Sequence, residues 1–402
     1  MTTRIAQLSV MVVEDHSFQR SIALRLLAGL GIERAFEAAN GREALECMIA
    51  LQDKPDVLLV DLDLPEMDGI ELIGHVASRR LARAIIVLSA LDPALLNTVQ
   101  TMARASGLRV LGAVEKPLTA AKLQEVLLHF HNEPEEHGYL APMEFDRETL
   151  VEAIEREEIE PWFQAQVSIA SGHAVGVEAL ARWVRGDQVL LPSQFLHQVE
   201  REGLIDALTE SMLRKSCRWR MRWAASGLDL RLSVNVSMLN LARVDTADRY
   251  QQIVQQAGVR TRDVVLEVTE GSVMGEAASA LNVLARLRLK GFGLAIDDFG
   301  TGYSSLSQLS QIPFTELKID QGFVTGAVHQ PRKRAVVETS LDLARKLDIG
   351  TVAEGVETVE DWQMLAELGC DYAQGYLIGP AVSGTALAEQ IRHWRSPQIS
   401  AV

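Results

Sequence analysis

The chain has 402 residues, a formal net charge of -15 and an apolar fraction of 48%. That length accommodates two domains with substantial cores, and the composition is that of a globular protein rather than a disordered or fibrous one. With no basic face, no long uncharged apolar span and no amino-terminal signal pattern, neither a DNA partner nor a membrane is expected, and a cytoplasmic location is. Cys47, Cys217 and Cys370 are widely separated and odd in number, which suits a reducing compartment, and no close Cys or His spacing suggests zinc.

The first third reads as a doubly wound α/β domain. Ser9 to Val13 is a buried strand ending at Glu14 and Asp15, and Asp56 to Val60 is another ending at Asp61. Ile85 to Leu88 leads to Ser89, and Val110 to Val114 leads to Glu115, Lys116 and Pro117. Helical stretches begin near Phe18, Gly41 and Leu95. A five-stranded parallel sheet follows, with ligands expected at the carboxyl ends of its strands, where three acids, a hydroxyl and a lysine collect.

Residues 131–160 carry 11 acidic residues against two arginines, so most of the net charge sits in the connector. Its first part, His131 to Gly138, reads as a hinge, and an acidic helix is expected from about Asp146 to Glu158. The boundaries are placed at 1–130 for the first domain, 131–146 for the linker and 147–395 for the second domain.

Beyond residue 160 one pattern recurs, a short apolar run closing on an acid, an amide or a lysine. Val175 to Val177 ends at Glu178, Leu232 to Val234 at Asn235, and Val264 to Leu266 at Glu267. Gly293 to Ile296 ends at Asp297 and Asp298, followed by a glycine-bracketed loop. Glu316 and Leu317 lead to Lys318 and Asp320, Gly350 to Ala353 to Glu354, and Asp371 to Ala373 to Gln374. Helical stretches such as Ala278 to Lys290 and Lys333 to Leu347 alternate with these runs. Repeated β/α units predict a TIM-like (β/α)8 barrel, whose polar strand ends would converge on one site. Adjacent carboxylates such as Asp297 and Asp298 share a site only where a strand turns, and their repulsion calls for a cation or for a bland acidic turn.

The motifs of the first domain resemble the receiver domain of two-component response regulators. Asp61-Leu62-Asp63-Leu64-Pro65-Glu66-Met67-Asp68-Gly69 has the spacing that follows the phospho-acceptor there, which makes Asp61 the acceptor. Glu14 and Asp15 match that family's Mg²⁺-binding pair, Ser89 its switch hydroxyl and Lys116 its lysine before proline. The resemblance implies a Mg²⁺ ion beside Asp61 and a sensor histidine kinase or phosphotransfer protein as donor. One departure is Ala113, at a strand-five position that is usually aromatic in the family.

The second domain resembles the EAL family of cyclic di-GMP phosphodiesterases. The signatures are Glu178-Ala179-Leu180-Ala181-Arg182, Asn235-Val236-Ser237, Glu267-Val268-Thr269-Glu270, Asp297-Asp298-Phe299-Gly300, Leu317-Lys318-Ile319-Asp320, Glu354-Gly355-Val356-Glu357 and Gln374-Gly375-Tyr376. The resemblance implies hydrolysis of cyclic di-GMP to linear pGpG with two Mg²⁺ or Mn²⁺ ions. Glu178, Asn235, Glu267 and Asp297 would ligate one ion; Asp297, Asp298 and Glu354 would hold the second. Two such ions about 3.5 to 4 Å apart activate a shared water. Lys318 would orient or deprotonate that water, or pair structurally with a metal-binding acid.

Gln164 matches a guanine-contacting position, although Ala165 replaces the proline that usually follows. Arg182 would pair with phosphate, Gln374 would hydrogen-bond the ligand, and Asp320 and Glu357 would complete the polar shell. Trp183, Phe195, Trp219 and Trp223 read as core rather than as stacking surfaces. Glu270 would anchor the loop Phe299 to Ser305, which in the family lies near a dimer contact, so a homo-oligomer, dimer or tetramer, is expected. The alternatives are a domain that binds cyclic di-GMP without cutting it and a protein-interaction regulator.

Overall fold

The computed structural model describes residues 5–79, 81–89, 99, 102–103, 108–132, 143–270, 278–300 and 312–397. They fall into two compact units, Met1–Ala141 and Pro142–Val402.

In the first unit, five strands lie in the order β2-β1-β3-β4-β5, all parallel. They are β1 (Ser9–Val13), β2 (Arg34–Ala38), β3 (Val57–Asp61), β4 (Ala84–Ser89) and β5 (Arg109–Glu115). Every residue of β1 and β3 is buried, as a parallel sheet covered on both faces requires. Alternate residues serve opposite cores. Met11, Val13, Leu58 and Val60 pack toward the helices Gly41–Ala50 and Gly69–Arg79. Val10, Val12, Leu59 and Ile86 pack toward Ser17–Gly29 and Ala120–Asn132. Most of the helix expected near Leu95, apart from the helical residues 99 and 102–103, and most of the hinge, from residue 133, lie outside the described residues.

The second unit is a closed barrel. Its strands are β6 (Ile159–Ser168), β7 (Ala174–Arg185), β9 (Arg231–Asn235), β10 (Val264–Thr269), β11 (Gly293–Phe299), β12 (Glu316–Ile319), β13 (Gly350–Ala353) and β14 (Tyr372–Ala373). Two short strands, β8 (Gln188–Leu190) and β15 (Val382–Ser383), add to β7 and β6. Seven of the eight barrel strands run parallel, and β6 runs antiparallel to both its neighbours, β7 and β14. The cause is local: a tight turn, with Gly172 N–H donating to Ser168 O and Ser168 N–H to His173 O, returns the chain directly as β7 instead of through a helix.

Strand β6 alternates strictly. Ile159, Phe163, Ala165 and Val167 pack outward into the apolar layers, and Glu160, Trp162, Gln164 and Gln166 take the other side. The acidic helix is shorter than its sequence suggests, spanning Arg147–Glu155. Asp146 caps it from outside, its Oδ1 accepting Thr149 N–H at 2.8 Å, and Glu158 N–H closes on Ala153 O to start the turn into β6. Leu150 and Ala153 bury against the barrel unit beside Trp183 and Phe195. Trp183, Phe195 and Trp223 are core residues as expected, with Trp219 partly buried against them; each large apolar side chain withdrawn from water contributes roughly 1.5–3 kcal/mol. Among the described residues no helix is long and apolar enough to cross a membrane.

Candidate active site

The barrel strands deliver the expected residues to one place. Glu178 comes from β7, Asn235 from the end of β9, Glu267 from β10, Asp297 and Asp298 from β11, and Lys318 from β12. Glu354 and Gln374 follow directly after β13 and β14.

Adjacent residues of a regular strand face opposite sides, so Asp297 and Asp298 need a local exception. The register of β11 on β12 shifts between Ile296 and Phe299, and Asp298 has φ 55°, in the left-handed region. Aspartate tolerates that region better than most residues, and such a bulge re-aims the strand end. Oxygen atoms of Asp297, Asp298 and Glu354 thereby come within 4.8 Å of one another, as do those of Glu178, Glu267 and Asp297. Asp297 belongs to both groups.

Lys318 sits at the centre with no exposed surface. Its Nζ lies 2.7 Å from Glu267 Oε2, 2.7 Å from Glu354 Oε1, 3.0 Å from Asp297 Oδ1 and 3.3 Å from Glu178 Oε2. Burial alone would lower the lysine's pKa, but Asp297, Glu178, Glu267 and Glu354 together hold it well above the usual range. It is an ammonium, and the ion-pair role is present in the geometry.

One ammonium does not neutralise five carboxylates. The formal charge of Glu178, Glu267, Asp297, Asp298, Glu354 and Lys318 is -4, which two divalent cations match. Burial, then Glu178 and Asp297, push Glu267 well above the carboxylate range despite Lys318. Burial raises Glu354 well above that range too, against the lowering effect of Lys318 and with Asp297 and Glu178 adding to the rise. Asp298 is pushed up to about 6, by burial first and then by Asp297 and Asp320. Glu178 goes the other way: burial would raise it, but the Lys318 charge and hydrogen bonds from Gln374 and Asn235 hold it below the usual range of a free carboxyl.

Two atoms test whether a cation fits. Glu267 Oε1 is buried and has no hydrogen-bond partner, an expensive state for a carboxylate oxygen that a hard cation would relieve. Asn235 donates Nδ2 to Glu178 Oε1 at 2.7 Å, which turns the amide so that its oxygen remains as a ligand. An all-oxygen donor set of this kind suits Mg²⁺ or Mn²⁺ rather than zinc.

Around this centre lies an amide cluster. Gln374 Nε2 donates to Glu178 Oε2 at 2.7 Å and to Gln164 Oε1 at 3.0 Å, and Gln164 Nε2 donates to Gly379 O at 3.1 Å. Gln166, which sequence reasoning missed, donates Nε2 to Gln374 Oε1 at 3.1 Å. Its signal in the sequence was the two-residue alternation of β6. Arg182, nearly buried, pairs across the strands with Glu160 and places its guanidinium 5.9 Å from the Trp162 ring centroid. Asp320 caps the turn Gln321–Val324, its Oδ1 accepting Gly322 N–H at 2.9 Å, and so serves that turn as well as the site's field. Glu357 is exposed, three residues beyond Glu354. Glu270 is buried and its Oε2 accepts Gly300 N–H at 2.7 Å, the anchoring contact expected. Residues 301–305 of the loop lie outside the described residues.

The first unit holds a second acidic group. Oxygen atoms of Glu14, Asp15 and Asp61 lie within 4.8 Å of one another. Lys116 Nζ sits 2.5 Å from Asp61 Oδ2 and 2.8 Å from Glu14 Oε2. Burial raises Glu14, and Asp61 adds to that, more than Lys116 offsets. Lys116 itself is raised: burial would lower it, but Asp61 and Glu14 prevail. Gly69 N–H donates to Leu62 O, closing the turn after Asp61. Ser89 ends β4 as expected, with its side chain outside the described residues, and Ala113 is half-buried opposite Val87.

Two family models match the chain, the response regulator receiver domain over residues 10–128 and the EAL domain over residues 147–381. The chain is 33% identical over 377 residues to the cyclic di-GMP phosphodiesterase RocR of Pseudomonas aeruginosa, covering 92% of this chain and 95% of that protein. It is 38% identical over 232 residues to the bifunctional diguanylate cyclase/cyclic di-GMP phosphodiesterase MucR of the same organism, across 57% of this chain and 34% of that protein. Among solved structures, the PaMucR phosphodiesterase in complex with c-di-GMP superposes with a TM-score of 0.57 at 37% identity, covering 60% of this chain and 98% of that one.

Proposed function

The chain belongs to the EAL domain family, joined to a response regulator receiver domain, and from that premise we propose that it hydrolyses cyclic di-GMP to linear pGpG under control of phosphorylation at Asp61. The observation that carries this reading is two overlapping acidic groups, Glu178, Glu267 and Asp297 with Asp297, Asp298 and Glu354, around the buried Lys318, with Asn235 bonded to Glu178 and a formal charge that two divalent ions would match. Glu178, Asn235, Glu267 and Asp297 would hold one Mg²⁺ or Mn²⁺, and Asp297, Asp298 and Glu354 the other. When bound, such ions supply charge to the phosphate oxygens and lower the pKa of the attacking water.

The chain's own groups have separable tasks. Hydrolysis adds water across one phosphorus–oxygen bond, so a proton leaves the attacking water and another must reach the departing 3′-oxygen. Lys318, locked as an ammonium among four carboxylates, acts as a donor and a fixed positive charge rather than as the base. Glu354, grouped with Asp297 and Asp298 and ionised once a cation is bound there, would take up the proton of the attacking water. Glu178, kept ionised, is the constant ligand. Arg182 pairs with a phosphate oxygen, and Gln164 and Gln374 set the orientation of the nucleotide.

In the receiver unit, Asp61 is the acceptor, Glu14 and Asp15 hold Mg²⁺, and Lys116 pairs with the charge that phosphorylation adds. A histidine kinase or phosphotransfer protein would be the donor. Phosphorylation would act on the loop after Asp298, changing its hold on the two aspartates, in a homo-oligomer of this chain. The deciding experiment incubates the purified chain with cyclic di-GMP and Mg²⁺ or Mn²⁺, with and without an acyl-phosphate analogue. Appearance of pGpG, abolished in Glu178→Ala, is expected; nucleotide recovered uncleaved would overturn the reading, and unchanged turnover and metal affinity with the analogue would overturn the regulatory part.

A further inference from the structure

We propose that Gln166 is a positioning residue for this site: it fixes the amide of Gln374, and through it the orientations of Glu178 and Gln164. The inference rests on the hydrolytic reading above for its consequences in turnover. Its geometry stands apart from that reading.

The direction of the amide chain follows from the carboxylate outward. The Glu178 carboxylate already accepts from Asn235 Nδ2 and Lys318 Nζ, and Gln374 presents Nε2, not its oxygen, to Oε2 at 2.7 Å. The second hydrogen of that nitrogen goes to Gln164 Oε1 at 3.0 Å. Gln374 Oε1 then faces away from both and needs a donor in a place only 4% exposed. Gln166 Nε2, 3.1 Å away on a side chain 1% exposed, supplies it. Without that donor, rotating Gln374 would place an oxygen against the Glu178 carboxylate.

The backbone makes room for this arrangement. Gln166 lies directly opposite Gly176 in the β6–β7 pairing. A Cβ built on Gly176 would sit 2.9 Å from Gln166 Oε1. That side chain therefore keeps its place because its cross-strand partner has none. The amide of Gln164, whose oxygen is taken by Gln374 and whose nitrogen reaches Gly379 O, is in turn left with one orientation toward the nucleotide.

Two substitutions separate this role from simple packing. Gln166→Met keeps the length and removes the donor; Gly176→Ala keeps the donor and pushes its amide aside. In both, kcat/KM for cyclic di-GMP should fall by about tenfold, the range for partners that orient a ligand. Binding of cyclic di-GMP, measured by calorimetry in a chelator so that no turnover occurs, should weaken in parallel. The double variant Gln166→Met with Gln374→Met should be no worse than Gln374→Met alone, since both break one chain. A crystal structure of Gln166→Met, with no nucleotide present, should show the Gln374 amide turned from Glu178. An unmoved amide there, or additive losses in the cycle, overturns the inference. Should the parent bind cyclic di-GMP without cleaving it, the hydrolytic reading fails, and the binding cycle and the crystal structure still decide for or against Gln166. If Gln166→Met does not fold, Gly176→Ala carries the same comparisons.

Discussion

Lys318 Nζ and Glu267 Oε2 lie 2.7 Å apart with neither side chain more than 1% exposed, while the other oxygen of Glu267 has no partner. The lysine thus compensates only part of the charge buried with it. Removing it as Lys318→Met should strip the only cation facing Glu178, Glu267, Asp297 and Glu354 among the described residues, at a cost of roughly 3–5 kcal/mol to the cation-free barrel. Mg²⁺ should recover much of that stability without restoring turnover. Thermal melts with Mg²⁺ and with chelator check this, and a variant as stable as the parent in chelator would show that the acids are protonated instead.

Asp298 gives the pH dependence a sign. Its folded pKa of about 6 stands above the ordinary 3.8, so in the cation-free protein its contribution to stability is full below the ordinary value and is lost as pH rises through about 6. A cation needs the carboxylate and prefers the opposite end. Mg²⁺ affinity should therefore climb between about pH 5 and pH 7, with proton release, and Mg²⁺ should stabilise the fold more at the upper end. Calorimetric titrations in two buffers of different ionisation heat measure both; a flat affinity across that window would remove Asp298 from the ligand set.

Much of this site was legible before any coordinates, for a physical reason: a barrel gathers strand ends, so polar residues closing apolar runs converge. Glu178, Asn235, Glu267, Lys318 and Glu354 were read that way. Two features were not. Strand β6 carries Pro161 and alternates with polar residues, and of these Gln166 gains its role only when barrel closure brings it beside Gln374. The sharing of one site by Asp297 and Asp298 was expected where the strand turns, but the left-handed residue and slipped register that achieve it leave no mark in composition or periodicity. In the receiver unit the spacing around Asp61 was sufficient, because its turn is short and sterically tight.

That tightness is measurable at Gly69. A Cβ there would stand 2.2 Å from Asp61 O and 2.7 Å from Leu62 Cα, both backbone atoms that cannot swing away. Gly69→Ala should force the start of the helix Gly69–Arg79 off the end of β3, destabilising the first unit by about 1–3 kcal/mol. Labelling of Asp61 by a small phosphodonor should slow as well. Urea unfolding followed in parallel with labelling tests it, and an alanine variant with the parent's midpoint would disprove the contact.

The three thiols should differ sharply in reactivity. Burial pushes Cys217 up to about 12 and Cys370 up to about 11, whereas Cys47 is partly exposed. At about pH 8 the two buried groups are almost entirely protonated and shielded, so the folded chain should take up one equivalent of a maleimide and the unfolded chain three. Mass spectrometry of the labelled peptides should find the single adduct on Cys47; fast labelling of Cys370 would mean that the last barrel strand opens readily.

Glu270 couples the strand end to the loop that follows it. Its carboxylate, 2% exposed, accepts the N–H of Gly300 at 2.7 Å, and a Cβ on Gly300 would lie 2.8 Å from the Phe323 ring, so the backbone there is held from both sides. Gly300 directly follows β11, two residues beyond Asp298, and its φ of 99° is open to glycine and to few other residues. Glu270→Ala leaves that N–H without its acceptor, an effect of about 1–3 kcal/mol that falls on the segment presenting Asp298. Weaker Mg²⁺ binding and lower kcat should result, with KM for cyclic di-GMP little changed because Gln164 and Arg182 lie on other strands. Glu270→Gln, which keeps an acceptor oxygen, should restore most of the metal affinity. If instead Ala and Gln variants bind Mg²⁺ equally, the contact orders the loop without setting the position of Asp298, and control of the site must enter through another strand end.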